Sequence, residues 1–183
     1  MTRSFNIGNR NIGESEPCFI IAEVAQAHEG TLSFAHSFID SAATAGADAI
    51  KFQMHMANAE STKDEQFRIS MGNQDITRYD YWQRTSFDAV QWKELAEHAD
   101  EAGLAFLCSA FSLEAVNVLR TLGVNAWKGA SGEMFAFDFI QHLASDNLPL
   151  IISTGLASPD DVDAIVNYVE SNNVAYALLQ CTS

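Results

Sequence analysis

Six short apolar runs, each followed by polar residues, alternate along the chain with segments of helical periodicity. The runs span residues 19–23, 47–53, 104–108, 124–127, 148–152 and 174–179. Runs this short predict buried strands, and the segments between them repeat apolar residues every three or four positions, as amphipathic helices do. The alternation predicts an α/β fold in which parallel strands are joined by right-handed helical crossovers.

Two architectures fit this alternation, an open doubly wound sheet and a TIM (β/α)₈ barrel. A complete barrel needs about 250 residues, and the chain has 183. A barrel interpretation therefore implies about six of eight units, in a single, C-terminally incomplete domain spanning 1–183. Glycines at 8 and 13 predict a small N-terminal hairpin over residues 5–13.

Residues 54–86 interrupt the alternation. This segment is polar with interspersed aromatic residues, namely Phe67, Tyr79, Tyr81 and Trp82. A connection this long is usually functional or contains short helices of its own. We expect the aromatic side chains to pack against the domain rather than to line a pocket.

The charge of the chain restricts its partners. A formal net charge of −14 argues against nucleic acid and anionic membranes. The chain has four lysines, and two of them, Lys51 and Lys128, fall at the ends of predicted strands. Because the overall field repels anions, an acidic protein that binds one must place its few cations at the site.

The remaining compositional signals concern location and thiols. The N-terminal residues lack the apolar core of a signal peptide and no run is long enough to span a membrane, so we expect a cytoplasmic protein. The cysteines, Cys18, Cys108 and Cys181, lie in or beside apolar runs without metal-ligand spacing. We expect them to be buried, reduced thiols.

Polar side chains cluster where the predicted strands end. They are Glu23, Lys51, Gln53, Ser109, Ser112, Lys128, Ser131, Glu133, Ser153, Thr154, Thr182 and Ser183. In both architectures these ends converge on one face, where ligands bind. Polar residues also end strands simply because loops begin there. That accounts for the serines, but less well for two lysines, which are rarely buried without a partner. The set suits a small anion together with a polyhydroxy compound.

Five ordered motifs resemble the sialic acid synthase family. They are IIAEVAQAHEG at 20–30, AGADAIKFQ at 45–53, KGASGE at 128–133, ISTG at 152–155 and LLQCTS at 178–183. Members of this family condense phosphoenolpyruvate with an N-acetylhexosamine, such as N-acetylmannosamine, to give a nonulosonic acid. Residues 24–27 (VAQA) replace the commoner Ile-Gly-Ile-Asn and Gln180 replaces a usual histidine, and these departures bear on the sugar rather than on the reaction class.

The resemblance implies roles for individual residues. Phosphoenolpyruvate would be bound by Lys51, Ser109, Lys128, Ser131, Ser153 and Ser183, and the sugar by Glu23, Gln53 and Glu133. Glu23 and Glu133 would be catalytic, serving the proton transfers.

It also implies a divalent metal, Mn²⁺ or Mg²⁺, with ligands beyond Ser183, and a homodimer when full length. We expect the 183-residue chain to be inactive alone. None of its histidines (His28, His36, His55, His98, His142) matches the family's metal ligands, and we expect loop or surface positions for them. A non-catalytic sugar- or phosphate-binding module of the same ancestry and another barrel enzyme acting on phosphorylated metabolites stay open as alternatives.

Overall fold

The computed structural model describes residues 4–67 and 77–181. The strands are β1 (Phe5–Ile7), β2 (Arg10–Ile12), β3 (Ile21–Ala25), β4 (Ala49–Met54), β5 (Ala105–Ala110), β6 (Trp127–Gly129), β7 (Leu150–Ser153) and β8 (Tyr176–Leu179). The helices are α1 (Leu32–Thr44), α2 (Ala57–Glu60), α3 (Arg78–Thr85), α4 (Ala89–Glu101), α5 (Leu113–Leu122), α6 (Phe137–Ala144) and α7 (Pro159–Ser171), with a 3₁₀ helix at Ser131–Phe135. All six strands predicted from the apolar runs are present.

The six parallel strands follow one another in chain order. They form two three-stranded sheets, β3-β4-β5 and β6-β7-β8. Within the described ranges no ladder joins β5 to β6, although the two strands are in contact. There the Asn125 side-chain oxygen accepts a hydrogen bond from the Phe106 backbone N–H at 3.0 Å. A doubly wound sheet reverses its strand order, so this sequential order confirms the barrel prediction, with six consecutive parallel strands, the first five of which are each followed by at least one helix.

Alternation along each strand separates the barrel interior from the helical layer. Ile50 and Phe52 of β4 point outward into the main core, where they pack with helix residues such as Leu95. Residues of the opposite parity form a second apolar cluster of Ile7, Ala49, Leu107, Ala126 and Ile151. Ile7 belongs to the antiparallel β1–β2 pair, in which Phe5 lies opposite Ile12. The hairpin therefore packs against the amino-terminal end of the barrel interior, and polar side chains occupy the carboxyl end.

Helix starts follow the signals in the sequence. The Ser112 hydroxyl caps α5 by accepting from the Ala115 N–H at 3.1 Å. Ser158 and Asp161 form a reciprocal capping box at the start of α7, with Pro159 in the first helical position. These caps fix where the chain turns back after β5 and β7.

The long segment after β4 contains the two short helices α2 and α3. Its residues 68–76 lie outside the described part of the chain. Tyr81 is buried, and the Trp82 ring stacks on His55 with centroids 3.6 Å apart. These two aromatic side chains pack within the protein, as expected.

The expected burial of the three cysteines is correct for only one of them. Cys108 is buried, but Cys18 and Cys181 are exposed, because Cys18 lies in the loop before β3 and Cys181 lies after the end of β8, rather than within a packed strand. All three are free thiols.

Over residues 4–67 and 77–181, no helix is long and apolar enough to cross a membrane.

Candidate active site

A cleft at the carboxyl ends of the strands brings together seven of the predicted site residues. Its lining consists of Ile21, Glu23, Lys51, Gln53, Ser109, Lys128, Ala130, Ser131, Ser153 and Leu179. The cleft has a volume of about 300 Å³. It draws on every strand from β3 to β8 or on the loop that follows it, as expected for the binding face of a barrel.

One side of the cleft is organised by Lys51 on β4. Its ammonium lies 2.6 Å from a Glu23 carboxylate oxygen and donates to the Ser109 hydroxyl at 3.3 Å. The Lys51 side chain is buried, whereas that of Glu23 is about half exposed. The three residues come from the adjacent strands β3, β4 and β5, with Glu23 directly opposite Lys51 in the ladder, and the pairing gives the buried cation a counter-charge.

The other side is organised by Lys128 on β6. Its ammonium donates to the Gly129 carbonyl at 2.5 Å and to the Ser153 hydroxyl at 2.6 Å. Across the described ranges it forms no ion pair with a carboxylate. Burial, and secondly the nearby charge of Lys51, lower the pKa of Lys128 to about 8. This is a desolvated cation whose positive charge an incoming anion would stabilise.

Ser131 lies where the loops after β6, β7 and β8 meet. Its hydroxyl accepts from the Gly155 N–H at 3.1 Å and donates to the Cys181 sulfur at 3.6 Å. A Cβ at position 155 would lie 2.7 Å from that of Cys181, so only glycine fits there. The hydrogen bonds from Ser131 and Ser153 lower the pKa of the exposed Cys181 thiol.

Cys181, like Cys18, is exposed although the sequence predicts it to be buried. Its position just after an apolar run is the available signal, because several residues at such positions line the cleft.

Glu133 and Ser183 are the two predicted site residues outside this group. Glu133 follows Ser131 on the 3₁₀ helix and is not among the residues that line the cleft. Burial, and secondly the charge of Glu60, raise the pKa of its carboxyl group. A raised pKa suits a group that holds and donates a proton. Ser183 lies outside the described residues.

The sequence predicts loop or surface positions for the histidines. His28 and His55 are in loops, as expected, and both are buried there. His28 packs near Phe87, and His55 is sandwiched between Trp82 and Phe111 while bonded to Glu60 at 2.6 Å. Aromatic packing, which single-sequence patterns do not show, draws both rings inward.

Metal ligation finds no support in this part of the chain. No group of three or more His, Cys, Asp or Glu side chains among residues 4–67 and 77–181 is arranged to hold a metal ion. The described residues therefore do not form a metal site by themselves.

Fold and cleft together define a class: a parallel α/β barrel protein whose carboxyl-end cleft presents two lysines and three serine hydroxyls. Residues 38–183 match the model of the NeuB family. The chain belongs to the NeuB family.

Related proteins agree with this membership. The chain is 32% identical over 182 residues to human N-acetylneuraminate-9-phosphate synthase, covering 95% of this chain and 49% of that protein. It is 34% identical over 170 residues to N,N'-diacetyllegionaminic acid synthase of Campylobacter jejuni, covering 90% of this chain and 51% of that protein.

A solved structure also resembles it, the N-acetylneuraminic acid synthetase of Leptospira borgpetersenii in complex with citrate. That chain has a TM-score of 0.84 and 28% identity, and the match covers all of this chain and 60% of the other. The chain spans about half the length of the curated relatives it matches.

Proposed function

We propose that this chain forms the phosphoenolpyruvate-binding part of a nonulosonic acid synthase that condenses phosphoenolpyruvate with an N-acetylated amino sugar and releases phosphate. The observation that supports this most is the pairing of Lys51 and Lys128 in one cleft of a protein whose net charge is −14. Half of the four lysines lie at one small site. The relatives, which are named as synthases of N-acetylneuraminate 9-phosphate and N,N'-diacetyllegionaminic acid, agree with the proposal.

The cleft suits a substrate with two anionic groups. Lys51 with Ser109, and Lys128 with Ser153, form two separate pairs of an ammonium and a hydroxyl. Each pair can donate charge-assisted hydrogen bonds to a phosphate or a carboxylate. In this proposal one pair binds the phosphate and the other the carboxylate of phosphoenolpyruvate, with Ser131 assisting.

The proposed reaction forms one carbon–carbon bond and breaks one carbon–oxygen bond. The C3 carbon of phosphoenolpyruvate attacks the aldehyde carbon of the open-chain sugar, and the aldehyde oxygen takes up a proton. Water adds at C2, loses a proton, and phosphate leaves as that carbon–oxygen bond breaks. Glu133, whose pKa is raised, is assigned the proton donation, and Glu23 the proton removal. The lysines stabilise the departing phosphate.

Three further features stay predictions of the family resemblance. They are a divalent metal ion held by residues other than those described, a homodimeric assembly and a cytoplasmic location. Ser183 is retained as a phosphoenolpyruvate-binding residue on the same basis.

Phosphate release tests the proposed function directly. Phosphoenolpyruvate is incubated with the full-length protein that contains this chain and with Mn²⁺ or Mg²⁺, with and without N-acetylmannosamine, its 6-phosphate or a diacetamido sugar. We expect phosphate release that requires both substrates and gives a nonulosonic acid by mass spectrometry. Binding of both substrates without release would identify a non-catalytic binding module instead.

A further inference from the structure

The end of β3 departs from regular strand geometry at neighbouring positions. The ladder with β4 shifts register between Glu23 and Ala25, so that β3 contains one extra residue there. Ala25 itself has a φ of 50°, in the left-handed region that residues other than glycine rarely adopt. Such bulges occur at strand ends beside active sites, where they redirect the side chain that follows. Here the following residue is Gln26.

The Gln26 side chain is buried and bonded to the end of β4. Its Nε2 donates to the Gln53 backbone carbonyl at 2.8 Å. That carbonyl fixes which end of the amide is nitrogen, because an oxygen in the same place would be repelled. The last ladder partners of β3 and β4 are Ala25 and Phe52. Gln26 therefore supplies through its side chain the hydrogen bond that a further residue of β3 would have supplied through its backbone.

The oxygen of the same Gln26 amide lowers the stability of the folded state. Gln26 Oε1 is inaccessible to solvent and, within the described residues, has no hydrogen-bond partner. A leucine of similar size would bury no unpaired oxygen. The left-handed Ala25 adds a second local cost. Both local costs fall at the end of one strand, and Gln26 contacts Gln53, which lines the cleft. This combination points to a functional constraint rather than to packing.

We propose that Gln26 is a positioning residue that orients Gln53 toward the amino sugar and thereby sets the affinity for that substrate. The inference rests on the proposed function and on the family resemblance, which implies that Gln53 binds the sugar. The hydrogen bond from Gln26 Nε2 fixes the plane of the peptide between Gln53 and Met54, and hence the direction in which the Gln53 side chain enters the cleft.

Lys51, two residues earlier, does not depend on this bond. It is held by ladder partners on both sides, Glu23 on β3 and Leu107 on β5. Loss of the Gln26 bond should therefore affect the sugar and leave phosphoenolpyruvate binding unchanged.

The first test compares Gln26→Leu with wild type in the phosphate-release assay. We expect the KM for the amino sugar to rise about tenfold, equivalent to about 1.4 kcal/mol, with the KM for phosphoenolpyruvate unchanged within about twofold. Gln141→Leu, on α6, is the matched control and should leave both KM values unchanged. A sugar KM equal to wild type in Gln26→Leu, or equal rises in both KM values, would overturn the inference.

The second test uses Gln26→Glu, which does not depend on whether the leucine variant folds. A carboxylate cannot donate to the Gln53 carbonyl, whereas a protonated carboxyl group can. We expect the sugar KM of this variant, divided by that of wild type at each pH, to fall toward one between pH 8 and pH 5.5. A ratio independent of pH would refute the positioning role.

The proposed function and this inference fail in different ways. A full-length wild-type protein that releases no phosphate with any of the sugars refutes the proposed function, and this inference with it. Turnover by wild type that is unchanged in both Gln26 variants refutes this inference alone.

Discussion

Glu23 and Lys51 are direct partners in the β3–β4 ladder, and their charged groups lie 2.6 Å apart in the cleft. Lys51 is therefore partly neutralised before any ligand arrives. Lys128 forms no such ion pair within the described residues. The two lysines of the cleft thus differ in their electrostatic state, although each also contacts a serine hydroxyl.

Removing the Glu23 charge should strengthen anion binding. In Glu23→Gln the Lys51 ammonium loses its counter-charge, so the cleft gains one net positive charge. We expect inorganic phosphate and phosphoenolpyruvate to bind more tightly by about 1 kcal/mol, or roughly fivefold. Isothermal titration calorimetry measures this. Glu97→Gln, which removes an exposed partner of Lys93 on α4, is the control and should have no effect. Weaker phosphate binding in Glu23→Gln would contradict this picture of the ion pair.

Removing the Lys128 charge should weaken phosphoenolpyruvate binding. Loss of a charge-assisted contact from a buried ammonium costs about 1.5–3 kcal/mol, so Lys128→Ala should raise the dissociation constant by one to two orders of magnitude. Lys93→Ala removes an exposed lysine and should bind as wild type does. An unchanged dissociation constant in Lys128→Ala would exclude it from the anion site.

The same lysine predicts the pH dependence of binding. Its pKa is lowered to about 8, so it loses its charge as the pH rises through that value. Wild-type affinity for phosphoenolpyruvate should therefore fall between pH 7 and pH 9, and this fall should be absent in Lys128→Ala. A wild-type affinity that is flat across this range would show that the lysine stays charged.

Glu133→Gln should reduce turnover more than substrate binding. The amide keeps the shape of the side chain but cannot transfer a proton, and general acid–base catalysis typically contributes 10²–10⁴-fold. We expect kcat to fall by about that factor, with smaller changes in either KM. A kcat within about threefold of wild type would leave Glu133 with a binding role at most.

His28 should make the protein less stable in mild acid. Burial lowers its pKa from 6.5 to about 4, against a smaller opposing effect of Glu29. Between these values the unfolded chain binds a proton that the folded protein does not, so the free energy of unfolding falls as the pH falls from about 6.5 to 4. The contribution is about 3 kcal/mol. Urea unfolding at pH 7 and pH 4.5 measures the loss, and His28→Gln should show a smaller one. An equal loss in both proteins would remove His28 as a cause.

Gly30 should tolerate no side chain. Its φ is 75°, and a Cβ there would lie 2.2 Å from the Arg84 carbonyl oxygen on α3. Gly46 has a similar φ of 78° but open space around it. Gly46→Ala should cost about 1 kcal/mol from backbone conformation alone, and Gly30→Ala at least about 2 kcal/mol more because the loop must move away from α3. Similar melting temperatures for the two variants would contradict the close packing of this loop on α3.

The sequence predicts the strands and the cleft because both follow from local patterns. Apolar runs identify the buried strands, and the carboxyl ends of sequential parallel strands converge wherever the crossovers are right-handed. Lys51 and Lys128 therefore meet in the structure as expected.

Other features depend on contacts between distant residues. Left-handed backbone predicts glycine, but position 25 is an alanine. The bulge there involves a hydrogen bond from Gln26 to Gln53, which are 27 residues apart. Cys181 and His28 illustrate the same limit, since their exposure and burial are decided by what lies over the strand ends.

The boundary between β5 and β6 divides the cleft between two separate sheets. Where the structure describes these strands, no ladder crosses the boundary, and the Asn125 side chain bonds to Phe106 instead. Lys51 and Ser109 lie on one side of it, and Lys128 and Ser153 on the other. We therefore expect an anion that contacts both lysines to offset their mutual repulsion and to couple the two three-stranded sheets, so that they open as one cooperative unit. Ligand binding would then slow amide hydrogen exchange in β4 and β7 together, well beyond the residues the ligand touches.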